Sequence, residues 1–236
     1  MPTAKTLVKT TPSRLYPNRR LFLRSGSATV VLAALAAITG CSRRNKNTNP
    51  LLAKDSVILC LGDSLTYGFG ITAPEQSYPS RLEALTGHVT KNAGINGDRA
   101  EGALARLPEL LQASTPGLVL VSIGGNDFLR GVPLEQTRAA LVGIVSIARA
   151  ANAQVALIAQ PRPVLMAAAI GSLEDHPVYA EVASETATPL FRQGWSDVLS
   201  KADWRSDQIH ANSEGYRVFT EKLADWLRNQ GWVAKN

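Results

Sequence analysis

Val57-Ile58-Leu59-Cys60-Leu61-Gly62-Asp63-Ser64-Leu65-Thr66 is the stretch on which the fold turns. Its first five residues are a continuous apolar run, too short for a stable helix, and read as a strand buried on both faces. The run stops at a glycine, and a polar turn carrying a serine hydroxyl follows at its carboxyl end. Working outward, Val89 to Ala93, Leu118 to Ile123 and Val155 to Ala159 repeat the short strand pattern. Helical patterns lie between them at Tyr78 to Leu85, Ala100 to Leu111 and Leu134 to Ala150. In the last of these, Leu134, Thr137, Leu141, Ile144, Val145 and Ala148 keep the three-and-four spacing of one apolar face. A final helix is predicted from Ser213 to about Asn229, with Ser213 as its N-cap. Strand and helix in alternation predict an α/β domain, a parallel sheet covered on both faces. Chemistry in such sheets gathers where the strands end. The loops to search are therefore Gly62 to Gly70, Gly94 to Arg99, Gly124 to Gly131 and Gln160 onward.

Ser64 stands at such an end, its hydroxyl aimed into a crevice, and the turn behind it can lend N–H groups to a developing oxyanion. Taken alone, Gly62-Asp63-Ser64 is equally ordinary turn chemistry. A serine needs a base, and the chain has three histidines. His88 precedes a strand and His176 sits before Pro177 in a poorly patterned stretch, so both read as surface or loop histidines. His210 differs, because Asp207 lies three residues before it, just ahead of the last helix. That spacing lets one turn bring carboxylate to imidazole, fix its tautomer and steady the imidazolium. The alternative for the pair is a solvated turn. Cys60, inside the apolar run, reads as a small core residue rather than a reactive thiol.

The blocks Gly62-Asp63-Ser64-Leu65, Asn92-Ala93-Gly94-Ile95-Asn96-Gly97-Asp98, Gly124-Gly125-Asn126-Asp127 and Asp207-Gln208-Ile209-His210 occur in that order. Together they resemble the SGNH hydrolases, also called GDSL esterases, over residues 56 to 230. The resemblance implies a three-layer flavodoxin-like α/β/α fold with a parallel sheet of about five strands. It also implies Ser64 as nucleophile, His210 as base and Asp207 as its orienter. The oxyanion donors would be the backbone N–H groups of Ser64 and Gly97 and the side-chain amide of Asn126. Within the family, Ala103-Leu104-Ala105-Arg106-Leu107-Pro108 and the stretch from Gly124 to Gly131 look most similar to periplasmic thioesterase/lysophospholipases and arylesterases. The last block departs from the pattern, with Gln208 and Ala211 where the family usually has Gly and Pro. The apolar run from Pro161 to Gly171 reads either as a buried helix start or, as the resemblance implies, as a wall of an acyl pocket. Pro163, Val164, Leu165 and Met166 are then its candidate substrate contacts.

The formal charge of +6 is misleading: six of the 25 Lys and Arg, and no acidic residue, fall in residues 1–40, which leaves 19 basic against 19 acidic residues. The basic balance therefore argues for no nucleic-acid partner. Residues 1–40 have the parts of an export signal, a basic start and the apolar stretch Ser25 to Thr39. Asn18 to Arg24 contains the paired arginines of a twin-arginine signal, and the alternative is an ordinary signal. The end, Ile38-Thr39-Gly40-Cys41, resembles a lipobox that leaves Cys41 lipidated, and the alternative is an uncleaved membrane anchor. Residues 41–52 then form a lipidated tether and residues 53–236 the hydrolase domain, exported and held at a membrane facing the periplasm or cell exterior. No metal cluster, phosphate loop or dinucleotide fingerprint occurs, so no cofactor or metal is expected. The leading expectation is a serine hydrolase of acyl esters, with thioesters and lysophospholipids as further candidate substrates, acting on a small-molecule or lipid substrate. A carbohydrate O-acetyl esterase and a non-catalytic binding lipoprotein are the alternatives.

Overall fold

The structure, a computed structural model, describes residues 49–163 and 172–235. Five parallel strands, β1 (Ile58–Gly62), β2 (Thr90–Gly94), β3 (Leu118–Ser122), β4 (Gln154–Ile158) and β5 (Leu190–Phe191), form one sheet in the order β2-β1-β3-β4-β5. The helices are α1 (Ser64–Tyr67), α2 (Tyr78–Thr86), α3 (Ala100–Ser114), α4 (Gly125–Leu129), α5 (Leu134–Ala150), α6 (Val178–Thr186), α7 (Gly194–Leu199) and α8 (Ser213–Gln230).

Burial on both faces divides each central strand by parity. Ile58, Cys60, Leu118, Leu120, Ala156 and Ile158 point to one core, where Tyr78 and Leu82 of α2, Trp195 of α7 and Phe219 of α8 meet them. Leu59, Leu61, Val119, Val121, Val155 and Leu157 point to the other, against α3, α5 and α6. The period of two along a strand thus supplies two separate cores from one continuous apolar run. This is the three-layer α/β/α arrangement expected. β2 departs from the expectation, since Lys91 and Asn92 are exposed and only Ala93 of the strand is buried. An edge strand has a neighbour on one side only and tolerates polar residues.

Four helices, the short α1 and α4 together with α6 and α7, and one strand carried no pattern. α6 follows Pro177 directly and buries Val178, Tyr179 and Val182. α7 and β5 are six and two residues long, too short to show a period. The cap of α8 is also corrected: Asn212, not Ser213, accepts the N–H of Gly215 at 3.0 Å. Ser213 is one residue too late, and its hydroxyl instead accepts from the Arg81 guanidinium at 3.0 Å.

The sheet order matters for function. β2 lies on one side of β1 and β3 on the other, so the chain leaving β1 and the chain leaving β3 diverge and open a crevice at the carboxyl edge. The loops after β1 and β3 hold Ser64 and Asn126.

Candidate active site

Ser64 opens α1 immediately after β1. Asp63 caps that turn, its Oδ1 accepting the Leu65 N–H at 3.0 Å. The capping holds Ser64 at the helix start with its side chain toward the crevice. Its Oγ lies 2.9 Å from Nε2 of His210, across 146 positions of sequence.

His210 sits on a short loop closed at its base. Arg205 and Ala211 form an antiparallel bridge, Ser206 N–H donates to the His210 carbonyl at 3.0 Å, and Asn212 N–H donates to Trp204 at 2.9 Å. Inside the loop, Asp207 Oδ1 accepts the N–H groups of Ile209 and His210, both at 2.8 Å, while Oδ2 lies 2.7 Å from His210 Nδ1. Partial burial pushes the Asp207 carboxyl up, but the bonds from the His210 ring and the two N–H groups more than offset it, so it stays below the usual carboxylate range. The pairing holds with Gln208 and Ala211 in place of Gly and Pro, because the closing bonds are backbone bonds that need neither residue. On the other side of the ring, Phe69 packs with its centroid 4.3 Å from that of His210.

Gly97 and Asn126 come from the loops after β2 and β3. Gly97 has φ +73°, a backbone that glycine adopts without strain, and an added Cβ would lie 3.1 Å from the Arg130 guanidinium. Its loop is tied to the serine turn: Ile95 N–H donates to the Gly62 carbonyl at 3.1 Å. Arg106 reaches up from α3 to the same carbonyl at 3.1 Å and pairs with Asp98 at 2.9 Å. Asn126 lies on α4, half-buried in the wall of the crevice that also exposes Ser64 and His210. Among the described residues no hydrogen bond takes up its side-chain amide, and Asn126 lines the crevice. Beside it, Asp127 is buried and ties α4 to α3 by accepting the Ala100 N–H at 2.9 Å.

The crevice is walled mainly by apolar side chains, among them Leu65, Leu129, Pro163, Leu173, Leu199 and Ile209. Of the candidate substrate contacts, Pro163 is among the residues lining the crevice. Val164, Leu165 and Met166 lie outside the described residues, as do residues 1–48, Cys41 among them. The other polar candidates stay apart from this site. His88 lies in the loop before β2 but is buried, 7% exposed, rather than on the surface. His176 stacks on Phe128, ring centroids 4.0 Å apart, and is not among the described residues that line the crevice. Cys60 is fully buried, and burial pushes its thiol up to about 12, which leaves it protonated and inert. Two contributors escaped the sequence reading: Phe69, as an exposed aromatic with no periodicity, and Gln160, as one polar residue after a strand.

A family model described as GDSL-like Lipase/Acylhydrolase matches residues 60–218. The chain is 34% identical over 184 residues to the thioesterase 1/protease 1/lysophospholipase L1 of Escherichia coli K12, covering 75% of this chain and 84% of that protein. It is 31% identical over 176 residues to an arylesterase of Vibrio mimicus, covering 72% and 87%. Among solved structures, the psychrotrophic esterase EstA from Pseudoalteromonas sp., inhibited by monoethylphosphonate, superposes with a TM-score of 0.64 at 28% identity, covering 74% of this chain and 100% of that one. The ordered blocks, the β2-β1-β3-β4-β5 sheet and these matches converge: the chain belongs to the GDSL-like lipase/acylhydrolase family and is a hydrolase of carboxylic esters.

Proposed function

We propose that Ser64 is the nucleophile of this hydrolase, His210 its general base and Asp207 the carboxylate that orients the base. The observation that carries the reading is the continuous run of contacts from Ser64 Oγ to His210 Nε2 at 2.9 Å and from His210 Nδ1 to Asp207 Oδ2 at 2.7 Å. Ser64 Oγ attacks the acyl carbon as its proton passes to Nε2. The leaving alcohol then takes that proton, and the acyl group remains on Ser64. Water repeats the sequence: it yields a proton to Nε2, attacks the acyl carbon, and the proton returns to Ser64 as the acid departs. The N–H groups of Ser64 and Gly97 and the Asn126 amide hold the oxyanion of each tetrahedral intermediate.

The apolar walls support an acyl chain longer than acetyl as the substrate's defining part. Each buried methylene contributes roughly 0.8 kcal/mol, so a chain that fills the crevice outcompetes a short one. Thioesters and lysophospholipids extend the same acyl transfer, and the names of the relatives above support including them. The leader adds a location: export directed by residues 1–40, a lipid on Cys41, residues 41–52 as tether, and a domain facing the periplasm or cell exterior. The Ile38-Thr39-Gly40-Cys41 sequence supports that part.

A fluorophosphonate probe together with nitrophenyl esters from acetyl to dodecanoyl tests the whole reading. Labelling abolished by Ser64→Ala and a maximum at medium chain length are expected. Activity confined to acetyl esters would point to a carbohydrate deacetylase. A protein that neither labels nor turns over would be a binding lipoprotein.

A further inference from the structure

Gln160 follows β4 by two residues and is 1% exposed. Burying a primary amide is costly unless its hydrogen bonds are met, and here they are met by the two turns that carry the catalytic groups. Nε2 donates to Asp63 Oδ2 at 3.0 Å and to the Ser122 carbonyl at 3.1 Å, while Oε1 accepts the Gly125 N–H. The partners allow one orientation of the amide only, since a flip would set oxygen against two acceptors and NH2 against a donor. Asp63 precedes Ser64 and Gly125 precedes Asn126, so one side chain joins the nucleophile's turn to the oxyanion donor's turn. The junction is anchored in the core: Trp195 Nε1 donates to Ser122 Oγ at 3.1 Å, and Trp195 is fully buried against Phe219. A Cβ at position 125 would lie 2.6 Å from Gln160 Oε1, so any larger residue there would have to displace the amide.

We infer that Gln160 is a positioning residue which, through Asp63 and Gly125, holds the Asn126 amide in register with Ser64. The inference rests on the assignment of Asn126 to the oxyanion. Gln160 takes no part in bond making, so its effect passes through Asn126. Misplacing a catalytic group by about 1 Å costs on the order of a hundredfold in rate.

The test is a double-mutant cycle on a nitrophenyl ester with the full protein. Gln160→Met, close in length and apolar, is expected to lower kcat by about thirty- to a hundredfold while KM changes less than about threefold. In an Asn126→Ala background the same change should lower kcat no more than about threefold further, because the amide that Gln160 positions is already gone. A full multiplicative loss in that background would overturn the inference, as would a loss confined to KM. Asn126→Ala without effect on kcat would overturn instead the oxyanion reading on which it rests.

Gln160→Glu, which keeps the volume, guards against a variant that does not fold. Its carboxyl would face Asp63, the Ser122 carbonyl and hydroxyl and the Gly125 N–H, with Asp98 adding negative charge behind Asp63. It must stay protonated to donate. Activity of this variant should therefore fall at alkaline pH, where wild type holds its rate, and a profile parallel to wild type would count against the role.

Discussion

Asp63 is a buried carboxyl next to Ser64, and replacing it by asparagine should change how stability depends on pH. Burial pushes its carboxyl up from 3.8 to about 6, against the lowering effect of the bonds from Gln160 and Leu65, and the charge of Asp98 adds to the rise. Between those two values the folded protein holds a proton that the unfolded chain has released. The stabilising contribution is complete below 3.8 and is lost as pH rises through 6. At pH 7.5 it is essentially absent. At pH 5, one unit below the folded value, it amounts to about 1.4 kcal/mol. For a domain of this size 1 kcal/mol moves Tm by roughly 2–4 °C, so the difference between wild type and Asp63→Asn should shift by about 3–6 °C in favour of wild type on going from pH 7.5 to 5. Thermal unfolding followed by circular dichroism at the two pH values measures this. Groups common to both proteins, including Asp207 with its opposite sign, cancel in the comparison. Any turning of the Gln160 amide toward the new asparagine shifts both pH values alike and also cancels. A Tm difference that is constant with pH would show that the Asp63 carboxyl is not raised, and one that moves in favour of Asp63→Asn at pH 5 would show that its surroundings stabilise the charge.

Ser64→Ala and His210→Ala should each remove nearly all ester turnover, and the double variant should be little worse than either, since the two act as one unit; multiplicative losses in steady-state assays would count against the pairing. Cys41→Ala should release the protein from membranes into the soluble fraction on fractionation while leaving specific activity unchanged. A mutant that stays with the membrane would mean that the leader remains as an anchor.

The central architecture was legible from residues 57 to 159 because burial on two faces demands continuous apolar runs. Ile58 with Cys60, and Leu59 with Leu61, had to be apolar together, whichever helices came to cover them. The long helices were legible for the related reason that one covered face imposes a period, as in Leu134–Ala150. The order of the four blocks likewise marked Ser64, Gly97, Asn126 and His210 for attention before any contact was known. Short elements were not legible: Leu190–Phe191 pairs through backbone bonds that any residue can make, and Gly194–Leu199 is less than two turns long. The N-cap of the last helix was missed by one position because Asn212 and Ser213 are both good caps and only the entry angle of the chain selects between them. The junction at Gln160 belongs wholly to the tertiary structure. Its bonds span 97 positions to Asp63 and 35 to Gly125, and a lone polar residue after a strand has no signature until three strands lie side by side. The chain by itself determined which chemical groups stand at the strand ends. Their distances were decided by the sheet order and by a buried amide with one permissible orientation, because hydrogen-bond geometry is a property of groups that meet in space.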